Sequence, residues 1–276
     1  MNHSESSFNG SAATELFMQS WAPDQESKAA LAVVHGFGEH SGRYMNLVNR
    51  LVPAGFTVYG FDHRGHGRSP GQRGHINSWE DFLGDVDAFL TEIRKKDAES
   101  PLFLYGHSMG GLLVLSYALR HPQGLKGVLA SGPALAQPGV SPILLTLSRI
   151  MSKLWPSFSI DTKLDVHLIS RDEEVVRAYQ QDPLVHSMAS ARLGTELTAA
   201  MEWTQAHAGE WWLPLLIVHG GDDKLVPPEG SKRFFDNVPS EDKQRIEYPG
   251  TRHEPHNDLD RDKVLEDIQN WLENHL

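Results

Sequence analysis

The apolar run Leu102 to Tyr105 meets Gly106-His107-Ser108-Met109-Gly110, and a second apolar run follows from Leu112. A strand that enters a sharp turn there and leaves as a helix carries Ser108 at the apex. Such an apex forces its residue towards positive φ and crowds its neighbours, so glycines two before and two after remove the Cβ atoms that would clash. The helix behind Ser108 aims its N-terminal N–H groups at whatever sits on the serine, which suits a developing oxyanion. The same five residues also fit an ordinary glycine-bounded turn with a surface serine, so the other parts of a site have to be found elsewhere in the chain.

The flanking pattern constrains the fold. Ala29–Val34, Phe56–Phe61, Val128–Ala130, Leu215–Val218 and Arg245–Tyr248 read as short strands. They alternate with helical stripes at Tyr44–Leu51, Phe82–Ile93, Met109–Arg120, Glu229–Asn237 and Val264–Leu272. Ser78 with Asp81 predicts a capping box for the second of these helices. Strand–helix alternation implies an α/β fold with a mostly parallel central sheet and helices on both faces. Right-handed crossovers then bring the loops after the strands to one sheet edge. Residues 1–12 read as a frayed polar arm, and Thr14–Trp21 as an edge strand. From Ala134 to Trp212 the alternation stops, and three helices are expected without a strand: one with Ile143, Leu144, Leu147, Ile150, Met151 and Leu154 on one face, one behind a Ser170–Glu173 capping box, and one over Leu193–Trp203. The expected organisation is a core of 1–133 and 213–276 with a helical cap inserted at 134–212. Within the cap, the Ile143–Leu154 helix is the candidate acyl-binding or interface-docking surface.

Composition narrows the partners. The formal net charge of −11 argues against binding nucleic acid or an anionic membrane through charge. The chain has no cysteine, which excludes disulfides and thiolate catalysis. Met1–Gly10 lacks the apolar segment of a signal peptide, and no apolar run approaches the ~18 residues of a membrane span. A cytoplasmic protein is expected, with contact at a membrane or micelle surface through the insertion as an additional expectation.

A serine hydroxyl needs a histidine to take its proton and a carboxylate to orient that histidine. In hydrolases of this topology the order is Ser, acid, His, on successive late loops. Ser108, an aspartate after Leu215–Val218 and a histidine after Arg245–Tyr248 supply that order. Asp222 and Asp223 compete for the acid, and the Gly220-x-x-Asp223-x-x-Val226 spacing favours Asp223. His253 lies nearer its strand end than His256 and is preferred. His219, also at a strand end, reads as a packed structural histidine. The oxyanion donors are expected to be the Met109 N–H and the Phe37 N–H from His35-Gly36-Phe37-Gly38. That early loop is not a dinucleotide loop, because its third glycine falls one place late. His253-Glu254-Pro255-His256 is not a zinc motif, and no carboxylate set completes His63, His66 and His75, so neither metal nor cofactor is expected.

With these residues assembled, the chain resembles the serine α/β-hydrolases of the monoacylglycerol lipase and lysophospholipase-like family. The resemblance rests on His35-Gly36-Phe37-Gly38-Glu39-His40-Ser41-Gly42-Arg43-Tyr44, Asp62-His63-Arg64-Gly65-His66-Gly67-Arg68-Ser69 and Gly106–Gly111, with Gly220–Val226, His253–Asp258 and Asp182–Val185 also similar. It implies the triad Ser108, Asp223 and His253, the oxyanion donors Phe37 and Met109, a helical cap, and small-molecule acyl esters of glycerol or other small alcohols as substrates. Monoacylglycerols or similar single-chain acyl esters are the expected substrates. Lysophospholipase or short-chain carboxylesterase activity is the alternative, ahead of an acyltransferase or perhydrolase and a non-catalytic receptor on the same fold.

Overall fold

The computed structural model describes residues 1–137 and 142–276, without the side chains of residues 142–145 and 147. Ten strands are found among the described residues: β1 (Asn2–Asn9), β2 (Glu15–Ala22), β3 (Ala29–Val34), β4 (Phe56–Phe61), β5 (Leu102–His107), β6 (Gly127–Ser131), β7 (Ser159–Asp161), β8 (Met188–Ser190), β9 (Leu215–Gly220) and β10 (Lys243–Tyr248). The helices are α1 (Met45–Leu51), α2 (Trp79–Lys96), α3 (Met109–Arg120), α4 (Pro142–Leu154), α5 (Glu173–Gln181), α6 (Ala191–Ala206), α7 (Pro228–Asn237) and α8 (Arg261–Asn274).

Eight strands form one sheet in the order β1-β2-β4-β3-β5-β6-β9-β10. The pairs β1/β2 and β2/β4 are antiparallel, and the remaining pairs are parallel. Both sheet faces are covered, which is why the central strands read as unbroken apolar runs. In β5, Leu102 and Leu104 face a core shared with α2 and α3, while Phe103 and Tyr105 face one shared with α8. From β3 the chain moves to one side to make β4, then crosses back to make β5 on the other. The crevice at the carboxyl ends of β3 and β5 is therefore the switch point where α/β sheets place ligands.

Three expectations are corrected. The N-terminal arm is strand β1, paired with β2 over its full length from Asn2–Ala22 to Asn9–Glu15. Its side chains are solvent-facing except Phe8, which packs on Phe61 and Phe89, so the strand is made by backbone pairing that no hydrophobic alternation announces. Consequently β2 is an interior strand, flanked by β1 and β4, and not an edge. The insertion is not purely helical either: β7 and β8 pair antiparallel as a two-stranded ribbon, Ser159–Asp161 against Met188–Ser190, too short to show a period.

Two caps divide. Ser78 and Asp81 form the expected box, with the Ser78 N–H 3.2 Å from Asp81 Oδ2. The Ser170–Glu173 box does not form. Asp172 is the N-cap of α5, accepting from the Glu174 N–H at 3.0 Å, because Ser170 is turned inward to Asn257 O at 3.2 Å. Of the apolar face expected on α4, Ile143, Leu144 and Leu147 lie outside the described residues, whereas Ile150 and Leu154 are exposed. Helix α6 is tied into the main core through Leu193, Ala200 and Met201, whereas Ile169, Val176 and Tyr179 around α5 form a small cluster of their own.

Candidate active site

Ser108 sits between β5 and α3 with φ 53° and ψ −117°, a left-handed conformation that costs a non-glycine residue free energy. Close approach maintains it. A Cβ on Gly110 would lie 2.2 Å from Val34 O, and one on Gly106 would lie 2.2 Å from Gly110 O. The first turn of α3 is thus pressed against the ends of β3 and β5, which presents Ser108 to the crevice half-buried.

The loops after β9 and β10 reach the same place. Ser108 Oγ is 2.9 Å from His253 Nε2, and His253 Nδ1 is 2.7 Å from Asp223 Oδ2. Asp223 Oδ1 accepts from the Leu225 and Val226 N–H groups, each at 2.9 Å. A carboxylate facing Nδ1 places the ring proton there and leaves the Nε2 lone pair to accept from the Ser108 hydroxyl. Burial by itself raises the Asp223 pKa, but the His253 charge and hydrogen bonds from His219 and His253 hold it well below the usual carboxylate range. For His253 burial disfavours the imidazolium, yet the Asp223 carboxylate outweighs it and the pKa is raised.

Of the competing residues, Asp222 is exposed beside Lys224, 3.6 Å away, and does not enter the site. His256 is fully buried and stacked on Tyr44 at 5.0 Å. His219 is also buried, but its Nε2 is 3.2 Å from Asp223 Oδ2, so it touches the acid and does more than pack.

The Phe37 and Met109 N–H groups have no acceptor among the described residues, and a Cβ on Gly36 would stand 3.2 Å from Ser108 Cβ, which puts the two segments side by side. The early loop is braced at both ends. Glu39 Oε1 accepts from the Gly36 N–H at 2.7 Å and from the Tyr44 hydroxyl at 2.7 Å. His35 Nδ1 donates to Gly36 O at 2.7 Å, since its Nε2 already accepts from the His63 N–H at 2.9 Å. Burial lowers the pKa of His35 and of His63 well below normal, so both stay neutral and act as braces.

Sequence reasoning missed the polar corner of this site. Arg43 is bound by Glu39 at 2.8 Å and bidentately by Glu254 at 2.7 and 2.8 Å, and its guanidinium lies over the Tyr179 ring at 4.5 Å. Burial raises the pKa of Glu39; it would raise that of Glu254 too, but Arg43 overrides it and pushes Glu254 down to about 2. The available signal was the charged pair Glu39 and Arg43, four residues apart inside a glycine-rich loop, where a solvated face has no reason to be. Glu254 and Tyr179 join only by tertiary contact.

A cavity of about 210 Å³ opens on Ser108 and His253, with Ile169, Leu197, Met201 and Leu225 as an apolar wall and the Arg43 corner as a polar one. A second cavity, of about 540 Å³, lies between α4 and α6, and Gln137 borders both. No group of three or more His, Cys, Asp or Glu side chains that could hold a metal occurs among the described residues.

A mostly parallel sheet with a strained serine elbow at its switch point, and a histidine and an aspartate on later loops, is an α/β-hydrolase. The family described as serine aminopeptidase, S33 (Hydrolase_4), matches residues 25–260. A monoacylglycerol lipase of Mycolicibacterium smegmatis is 37% identical over 275 residues, 99% of this chain and 98% of that protein. The crystal structure of Paleococcus ferrophilus monoacylglycerol lipase superposes with a TM-score of 0.87 at 38% identity, covering 95% of this chain and 100% of that one. A soluble variant of Saccharomyces cerevisiae monoglyceride lipase, solved with a substrate analog, gives a TM-score of 0.85 at 27% identity over 97% and 94%. The chain belongs to this monoacylglycerol lipase-like family of serine α/β-hydrolases, and it is a serine ester hydrolase.

Proposed function

We propose that the protein hydrolyses monoacylglycerols, or similar single-chain acyl esters, through Ser108, His253 and Asp223. Ser108 Oγ attacks the ester carbonyl carbon while His253 Nε2 takes its proton. The oxyanion forms against the Phe37 and Met109 N–H groups, each contributing roughly 3 kcal/mol of barrier lowering. The tetrahedral species collapses, His253 returns the proton to the departing alcohol, and the acyl group stays on Ser108. Water then repeats the sequence and releases the fatty acid.

The observation that carries this reading is the unbroken line from Ser108 Oγ through His253 to Asp223, at 2.9 and 2.7 Å. The cavity supports the substrate class, since one apolar and one polar wall suit an acyl chain bearing a small hydroxylated head group. An aminopeptidase would need a free carboxylate for the substrate ammonium, and here Glu39 and Glu254 are both occupied by Arg43.

Residues 134–212 act as the cap in this proposal, supplying Ile169, Tyr179, Leu197 and Met201 to the cavity. No helix among the described residues is long and apolar enough to cross a membrane. The exposed Ile150, Leu154, Trp155 and Ile160 support contact with lipid surfaces through the cap. The test is turnover of p-nitrophenyl butyrate and of a monoacylglycerol and lysophospholipid panel, with fluorophosphonate labelling. Ser108→Ala should abolish turnover and labelling with the fold intact, and retained turnover refutes the assignment.

A further inference from the structure

His219 occupies the end of β9, four residues before the acid, and is fully buried. Its Nε2 meets acceptors only, Asp223 Oδ2 at 3.2 Å and Val226 O at 3.1 Å, so that nitrogen carries a proton. Its Nδ1 lies 2.8 Å from Ser231 Oγ on α7. The Ser231 oxygen accepts from Arg245 Nε at 3.3 Å and is also 3.0 Å from Pro228 O, which leaves its proton shared between Nδ1 and that carbonyl. Arg245 is itself paired with Glu247 at 2.7 Å, so no free charge faces the His219 ring from β10.

Asp223 is consequently gripped by four donors. Two backbone N–H groups fix Oδ1, and two imidazoles, His253 and His219, share Oδ2. An apolar side chain could fill the space of the His219 ring, but it could not donate to the Asp223 oxygen that faces His253 Nδ1. We infer that His219 is a positioning residue of the hydrolytic reaction, acting through Asp223 as a second donor on the oxygen that holds His253. This rests on the triad reading above.

Two consequences separate the role from packing. The second donor stops the carboxylate from turning about its Cβ–Cγ bond, and it withdraws part of the negative charge that His253 would otherwise feel. The other ionisable neighbours of His253 are His107, 4.8 Å away ring to ring, His256, and the carboxylates of Glu254 and Glu39, and none of these is altered by changing His219. Losing the donor should therefore lower kcat through misorientation, leave KM nearly unchanged, and raise the pH at which His253 deprotonates.

The test measures kcat, KM, the acidic limb of kcat/KM and thermal unfolding for His219→Leu, His219→Gln and Ser231→Ala. His219→Leu should lose about 10- to 100-fold in kcat, and its acidic limb should move up by about half a pH unit or more. His219→Gln, whose amide can donate from nearly the same position, should restore both to within about threefold of wild type. Ser231→Ala, which frees the ring at Nδ1, should give a smaller change of the same sign. A folded His219→Leu with wild-type kcat and acidic limb overturns the inference, as does a loss that tracks thermal unfolding and is not rescued by glutamine. If His219→Leu does not fold, Ser231→Ala decides, and an unmoved kcat and acidic limb there overturns it equally. Fluorophosphonate labelling of wild-type Ser108 distinguishes the failures: labelling with unmoved variants refutes only the role of His219, whereas no labelling refutes the triad.

Discussion

Replacing Asp223 by Asn is the sharpest probe of the proposed mechanism, because the surroundings dictate how the amide must sit. Oδ1 is fixed as an acceptor by the Leu225 and Val226 N–H groups at 2.9 Å. The asparagine oxygen must take that place, so its NH₂ group is turned towards His253 Nδ1, 2.7 Å away in the wild type. An amide donor there needs Nδ1 as an acceptor, and the ring proton moves to Nε2, where it points at Ser108 instead of receiving the serine proton. The expected loss is on the order of 10⁴ in kcat, the scale of a wrong-tautomer histidine. At about 1.4 kcal/mol per decade that is about 5.5 kcal/mol of barrier. KM should change little, since in the proposed mechanism Asp223 orients the base and does not hold the substrate. Wild-type kcat/KM should lose activity as pH falls through a His253 pKa raised above the ordinary ~6.5, because only the neutral ring can accept the proton. Any residual activity of the asparagine variant should have its acidic limb lower, the anion that favoured the imidazolium having gone. The assay is steady-state hydrolysis of p-nitrophenyl butyrate across pH, with the exposed Asp222→Asn as control. A variant within tenfold of wild type, or a larger loss in Asp222→Asn, refutes the reasoning.

Three further outcomes are expected. His253→Ala should lose hydrolysis by orders of magnitude, whereas His256→Ala, which removes a buried ring stacked on Tyr44, should cost thermal stability and keep its chemistry; assays of both at matched folded fraction decide. Arg43→Ala leaves Glu39 and Glu254 buried without their cation and should destabilise the fold by about 3–5 kcal/mol. Its two carboxylates then have raised pKa values, so its stability should rise as pH falls, while the wild-type contribution of Glu254, whose pKa is depressed to about 2, is lost in that direction; denaturant melts against pH show the sign. Gln137→Ala removes the side chain that borders both cavities and donates to Thr198 Oγ1 at 3.0 Å, and it should raise kcat/KM for long acyl chains relative to butyrate, read from a chain-length series.

The α/β class and the position of the elbow are legible in the local residue pattern. The central strands are covered on both faces and so read as continuous apolar runs, and the elbow cannot turn without Gly106 and Gly110. Chain order then nominated His253 and Asp223, because each lies just past a strand whose carboxyl end must reach the same sheet edge. What local pattern could not carry was pairing without burial and contact across distance. Strand β1 is nearly all exposed and held by backbone hydrogen bonds to β2, so no hydrophobic period marks it. The β7/β8 ribbon spans three residues a side. Ser170 looked like a helix cap but is drawn inward by Asn257, 87 residues away, which leaves capping to Asp172. The pairing of Arg43 with Glu254, 211 residues away, exists only once separate loops meet. There a buried charge must find a partner from whichever segment the fold brings within reach, and no local pattern in the chain announces which one that is.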